Sequence, residues 1–330
     1  MDTHELLRKI TSLPIIADGL AEDLLGGNFR SVFKGQGIEF DEARHYQWGD
    51  DVRSIDWNLS ARFGFPFVKM YREEREITVM ILLDISASMR SGPWPDQAGT
   101  NPTRFEQGLL AAALIAFSAE RTGQRVGGLF FDREIERVFP PYKGRRHAMA
   151  LVSGALRYHE SAAGPENRRA RRSGAGGNAA SGAGSNLGAA LAGAGRLLKR
   201  RSLVLVISDF LSVNWSGELG DLARKHDVIA LRLSDPLDDD IPDMGLIPVE
   251  DPETGLRIHA PTGSVSFREA WKEWHDERAK VWLSLCRQAG AASLELSTAA
   301  DASAALFRFF GVERRYGASR RGRRRTGGRR

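Results

Sequence analysis

Short runs of almost unbroken apolar residues, separated by longer segments with helical spacing, set the pattern of the chain from Glu76 onward. Ile77–Leu83, Val126–Phe131, Ser202–Ile207 and Asp227–Leu233 read as strands, and their continuous apolar character marks strands covered on both faces. Arg104–Arg121 carries Leu, Ala and Phe on all sides and reads as a buried helix. Further helices are predicted near Arg146–Tyr158, Leu187–Arg200, 216–226, Phe267–Gln288 and 302–310. Strands alternating with helices predict an α/β fold, doubly wound around a mostly parallel sheet. Two hairpins should interrupt that rhythm. One folds Ile135–Phe139 back on Val126–Phe131 around Asp132-Arg133-Glu134, and the other is an insertion over 246–260 that turns at Pro252-Glu-Thr-Gly255. Ser293–Ser297 supplies a last short strand.

The flanks follow other patterns. Residues 1 to about 25 alternate charged and apolar positions at helical spacing around Pro14, which predicts a helical lead of two short helices. Residues 28 to 75 read as short strands and turns, a small β-rich attachment. Residues 163–184 have almost no apolar bulk and much glycine, so a mobile loop is expected there. The organisation predicted is 1–75 as lead and β-rich segment, 76–312 as the α/β domain, and 313–330 as a disordered arginine-rich tail.

Charge sharpens the reading of the tail. The formal net charge of +5 comes from nine arginines, with no acid, in residues 314–330, which leaves −4 on the rest of the chain. Such a tail can hold nucleic-acid phosphates or an anionic lipid surface weakly and salt-dependently, and a nucleic-acid-associated protein led by its tail is one functional alternative. The single cysteine, Cys286, excludes an intramolecular disulfide and lies in the apolar stretch Val281–Cys286, so a packed thiol and a reducing compartment are expected. The longest apolar run, Leu109–Phe117, is far short of the ~20 residues that span a bilayer. Met1–Lys9 does not read as a signal peptide, and a cytoplasmic protein is expected.

Candidate chemistry sits at strand ends. Asp84-Ile-Ser86-Ala-Ser88 follows the first apolar strand, Gly184-Ser185-Asn186-Leu187-Gly188 opens a helix, and Ser208-Asp209 ends another strand. All three fall on the carboxyl edge of the proposed sheet, where open α/β folds bind ligands. Hydroxyls and carboxylates favour a hard divalent cation, Mg2+ first, with Mn2+ or Ca2+ behind it. His4, His45, His147, His159, His226, His259 and His275 show no metal-ligand spacing, and no residue stands out as the general base that a hydrolytic metal site needs. No P-loop occurs. A phosphohydrolase of haloacid dehalogenase type would use Asp84 as nucleophile, but its second acid would fall at Ser86. Capture of a partner's Glu or Asp suits neutral hydroxyls better than catalysis does.

The three loops resemble the metal-ion-dependent adhesion site of the von Willebrand factor A domain. That resemblance implies Ser86 and Ser88 as direct ligands, Asp84 and Asp209 acting mainly through waters, and Ser185 in a position where the family has threonine. Upstream, Phe40-Asp-Glu-Ala-Arg44-His-Tyr46-Gln-Trp-Gly49-Asp50-Asp51-Val-Arg53-Ser-Ile55-Asp56-Trp57, followed by Ser60-Ala-Arg62, resembles the signature of the bacterial domain of unknown function 58 family. The resemblance runs from about residue 25 to 312, through Gly184–Leu191, Ser208-Asp-Phe210, Pro252-Glu-Thr-Gly255 and Leu294–Thr298. It implies a non-enzymatic adaptor that works with a MoxR-type AAA+ ATPase in protein maturation or remodelling and grips an acidic client through its metal. Arg44, Tyr46, Asp50, Asp51, Arg53, Asp56 and Trp57 are then either a structural network, with Trp48 and Trp57 packed beneath it, or a docking face for the ATPase.

Overall fold

The structure, a computed structural model, describes residues 10, 13, 39–48, 50–72, 76–90, 102–163, 185–253 and 256–310. The predicted arginine tail lies outside these residues, as do the glycine-rich stretch from 164 to 184 and nearly all of the N-terminal lead. By contact density the chain divides into two units, Phe29–Glu76 and the remainder, Met1–Asn28 with Ile77–Arg330.

The smaller unit contains β1 (Glu39–His45), α1 (Trp57–Phe63) and β2 (Phe67–Arg72). β1 and β2 pair antiparallel, with Arg44 opposite Val68. A helix was not expected in this stretch. Asp56 explains it: its carboxylate accepts the Asn58 and Leu59 amides and caps the first turn, and Gly64 closes the last one at φ 75°. Of the two readings of this segment, the one that packs Trp48 and Trp57 beneath a charged network does not fit their exposure, since Trp48 is fully exposed and Trp57 is 67% exposed. The charges they were to support are satisfied locally instead. Arg44 makes two hydrogen bonds to Asp50, at 2.7 and 2.8 Å, and Asp51 accepts the Arg53 amide.

In the larger unit the chain runs β3 (Thr78–Asp84), α2 (Arg104–Arg121), β4 (Arg125–Phe131), β5 (Ile135–Tyr142), α3 (Arg145–Ala163) and α4 (Leu187–Leu197). It continues through β6 (Leu203–Ser208), α5 (Ser216–Lys225), β7 (Asp227–Ser234) and the single turn α6 (Pro236–Asp239). The hairpin β8 (Leu246–Glu250) and β9 (Arg257–Pro261), α7 (Val265–Ala289), β10 (Ala292–Ser297) and a helix over 302–310 complete it. Six strands form one sheet in the order β10-β7-β6-β3-β4-β5, parallel except for the antiparallel edge strand β5. The alternating apolar pattern thus yields a mixed α/β fold with a mainly parallel central sheet.

Strand periodicity divides the core in two. Met80 and Leu82 of β3, Val204 and Val206 of β6, and Val228 and Ala230 of β7 share one buried cluster with Leu187 and Leu191 of α4, Leu219 of α5 and Trp282 and Cys286 of α7. Residues of the other parity meet α2: a Cβ placed on Gly108 would lie 2.9 Å from Leu233 and 3.0 Å from Ile207. A strand covered on both faces needs apolar residues at every position, which is why these segments do not alternate. Burial also pushes the Cys286 thiol up to about 12, in keeping with a packed side chain. No helix among the described residues is long and apolar enough to cross a membrane.

β3 lies at the point where the winding reverses, because β4 and β5 extend the sheet on one side of it and β6, β7 and β10 on the other. The carboxyl ends of β3 and β6 flank the crevice that such a reversal creates. Beside it, Arg104 at the start of α2 donates to Asp238 of α6 at 2.5 Å, with both side chains almost fully buried. Burial opposes the Arg104 charge, but the carboxylate of Asp238, with Asp209 and Asp235 beyond it, holds its pKa above the ordinary value. Removing one member of a buried pair strands the other, at a cost of about 3–5 kcal/mol. The half-exposed pair of Arg201 and Asp227, at 2.7 Å, should contribute no more than ~1 kcal/mol. Asp238→Ala should therefore lower the urea midpoint far more than Asp227→Ala, and equal losses would show that the α6 pair does not hold this edge of the domain together.

Candidate metal centre

Asp84 is the last residue of β3 and has no exposed surface. Its Oδ1 accepts the Ser86 amide at 3.0 Å, so the chain turns back over the carboxylate as soon as the strand ends. Its Oδ2 accepts two hydroxyls, Ser208 at 2.7 Å and Ser185 at 3.1 Å. Parallel pairing puts Leu83 opposite Ile207, so the next residue of each strand reaches the same place. The Ser185 hydroxyl arrives from just before α4, where Asn186 caps the helix through the Ala189 amide and its own amide donates to the Asp132 carbonyl at 2.7 Å.

Around this carboxylate the remaining predicted residues assemble. The Ser86 and Ser88 hydroxyl oxygens stand 3.1 Å apart. Asp209 follows Ser208 and is 4% exposed; its Oδ1 accepts the Leu211 amide, and among the described residues no hydrogen-bond donor reaches its buried Oδ2. Phe210 sits at φ 54°, in the left-handed region that bulky residues avoid. It is held there by its amide bond to the Ser208 hydroxyl and by packing against Trp215 and Trp282. The structure thus brings Asp84, Ser86, Ser88, Ser185 and Asp209 to one strand-end crevice.

Electrostatics at the crevice is dominated by acids. Burial, then the negative charge of Asp209, pushes the Asp84 carboxyl up to about 7. A carboxyl held above its ordinary value binds its proton more tightly folded than unfolded, so stability falls as pH rises from the usual carboxylate range towards 7. Cationic side chains flank it: Arg90 donates to the Ile85 carbonyl at 3.2 Å, Arg104 is held charged in part by Asp209, and Arg278 donates to the Leu211 carbonyl at 2.9 Å, its pKa lowered by burial although Asp209 acts the other way. A buried carboxylate oxygen without a donor, two adjacent hydroxyls and a pair of neighbouring carboxyls fit a hard divalent cation. Among the described residues no three His, Cys, Asp or Glu side chains are grouped to hold a metal, so the donor set on offer is hydroxyl-rich. The buried histidines lie elsewhere, and burial lowers the pKa of both His226 and His275.

Two participants escaped sequence reasoning. Ser208 was passed over in favour of the acid that follows it, although its hydroxyl makes the shortest bond to Asp84. Glu253, at the tip of the β8–β9 hairpin, accepts the Ser88 amide at 2.9 Å through Oε1. Only its place in the Pro252-Glu-Thr-Gly255 motif could have drawn attention to it, because 165 residues separate it from Ser88. The residues of the signature segment, Arg44 to Trp57, belong to the smaller unit and to its own caps and ion pair.

Comparison with known proteins places the chain without naming an activity. Uncharacterized proteins of Mycobacterium tuberculosis and Mycobacterium bovis are each 28% identical to it over 316 residues, covering 96% of this chain and 92% of the relative. A crystal structure of the conserved hypothetical protein BatB from Bacteroides thetaiotaomicron aligns with 72% of this chain and 98% of its own, at 16% identity and a TM-score of 0.40. Residues 42–280 match the family described as protein of unknown function DUF58. With most of its length inside that match, the chain belongs to the DUF58 family.

Proposed function

We propose that this protein is a non-enzymatic adaptor that captures an acidic residue of a partner protein through a divalent cation, most readily Mg2+, held in a domain of von Willebrand factor A type. The observation that carries this reading is the pair of Ser86 and Ser88 hydroxyls, 3.1 Å apart, at the strand-end crevice beside Asp84 and the donor-free oxygen of Asp209. Ser86 and Ser88 would contact the cation directly. Asp84, Asp209 and Ser185 would orient the bound water and the loops. Bound there, the cation would supply a Lewis-acidic position for an incoming carboxylate. Neutral hydroxyls leave most of the ion's charge unneutralised, which favours an anionic ligand from outside.

The adaptor would work with a MoxR-type AAA+ ATPase in maturation or remodelling of a client, the ATPase supplying mechanical work. Exposed Trp48 and Trp57, with Phe63 and Phe65, give the smaller unit an aromatic surface of the kind that protein interfaces bury. The haloacid dehalogenase reading gains no support from position 86, where Ser86 hydrogen-bonds Ser88 instead of presenting an acid.

A cation that binds only the folded chain stabilises it by about 2.7 kcal/mol at a hundredfold excess over its dissociation constant. Mg2+ should accordingly raise the midpoint of thermal unfolding in the intact protein and leave that of Ser86→Ala/Ser88→Ala unmoved. An intact protein indifferent to Mg2+, Mn2+ and Ca2+ would sink the metal reading. For the partnership, the tagged protein should retain a purified MoxR-type ATPase of its own organism in Mg2+ and release it with EDTA. Retention that survives both EDTA and the double alanine variant would show that any complex forms without the crevice.

A further inference from the structure

The acid that the crevice would capture has a counterpart within the chain. Glu253 comes from an arm that is largely exposed: Leu246, Leu256 and Ile258 are each more than half exposed, and Ile247 and Ala260 are its buried residues at the base. Near its tip, Glu253 reaches the strand-end loops. Two contacts fix it there. Its Oε1 accepts the Ser88 amide at 2.9 Å, and its main-chain carbonyl accepts Arg133 of the β4–β5 turn at 3.2 Å.

That position is costly for a carboxylate. Burial and the charges of Asp132 and Asp209 disfavour a carboxylate there, while the Ser88 amide and the charge of Arg133 favour it. Among the described residues its side chain makes a single hydrogen bond, through Oε1, which leaves Oε2 for another ligand. The residue that holds Oε1 is also one whose hydroxyl belongs to the Ser86 and Ser88 pair. A carboxylate held by the backbone of one of two paired hydroxyl residues, with its second oxygen unpaired, is placed to complete the ligand set of a hard cation bound at that pair.

We propose that Glu253 is a built-in carboxylate ligand of the crevice cation, carried by the β8–β9 arm into the position that a partner's acidic residue would take. This deepens the metal-dependent capture reading and rests on it. The arm then closes on the cation, and an incoming acid displaces Glu253 from the ion. Displacement is local, because β8 and β9 form a sheet of their own and Leu246, Leu256 and Ile258 of the arm are already exposed.

Mn2+ serves as the probe, with affinity followed by the loss of its free-ion electron paramagnetic resonance signal. Glu253→Gln keeps an oxygen that can accept the Ser88 amide but removes the charge. Since partners that merely orient metal ligands are worth about 10–100-fold in affinity, losing a direct carboxylate should weaken Mn2+ binding at least about tenfold. Amide hydrogen exchange adds a second readout: Mn2+ should slow exchange in residues 246–253 and 256–261 of the intact protein and leave it unchanged in Glu253→Gln. If Glu253→Gln binds Mn2+ within twofold of the intact protein and its arm is still protected, Glu253 is not a ligand, and the crevice site stands without it. If the intact protein takes up no Mn2+, both this assignment and the metal-dependent reading fall.

Discussion

A carboxylate with no exposed surface must find every partner inside the protein, and Asp84 imposes that demand on everything around it. One amide and two hydroxyls meet it, delivered by the turn after β3, the loop before α4 and the end of β6. Each must arrive within hydrogen-bond reach, so the strand register and the entry of α4 are fixed to within a fraction of a residue. Apolar packing does the aiming. β3 and β6 are buried along nearly their whole length, and a slip of one residue between them would remove Ser208 from Asp84 while turning every core side chain to the wrong face.

The loop after β6 retains two features that cost stability. Phe210 occupies a left-handed backbone conformation, worth about 1–3 kcal/mol of strain for such a residue, and Asp209 keeps a buried oxygen without a donor. A loop under selection for stability alone would place glycine at the first and a hydrogen-bond donor at the second. Both sit where the loop turns across the crevice, and Trp215 and Trp282 hold the strained ring from below. The stabilising aromatic packing and the destabilising polar geometry are therefore parts of one device, which presents Asp209 at the cost of local comfort.

The larger unit was legible because its signal is dense. Continuous apolar strands such as Leu203–Ser208, and a helix apolar on every side such as Arg104–Arg121, admit few alternatives. The site was legible as far as polar residues end those strands, which identified Asp84, Ser86, Ser88, Ser185 and Asp209 but not the hydroxyl of Ser208. Glu253 could not be read this way. Its role depends on where a hairpin leans, and that is decided by contacts such as Arg133 to the Glu253 carbonyl that leave no periodic trace in the sequence. The smaller unit failed for a different reason. Its charges looked like a network and its tryptophans like a core, but capping by Asp51 and Asp56 and the Arg44 to Asp50 pair satisfy the charges within a few residues, so no buried tryptophan is required beneath them.

Glu253 also alters what affinity at the crevice can mean. With an open cation, a partner's acid would gain the full attraction of an unsatisfied ion. With Glu253 already in place, capture exchanges one carboxylate for another, and a ligand shifts an equilibrium only by the difference between what it makes and what it replaces. That difference is small for two like groups. The cation would then be necessary for capture without being sufficient, and selectivity would come from the surface around it, where the arm has withdrawn and the partner's neighbouring residues meet the strand-end loops. Specificity of this kind needs no unusual metal and no strong metal affinity; it needs an arm that can leave the ion, and Glu253 keeps its place through the Ser88 amide and the bond from Arg133 to its carbonyl.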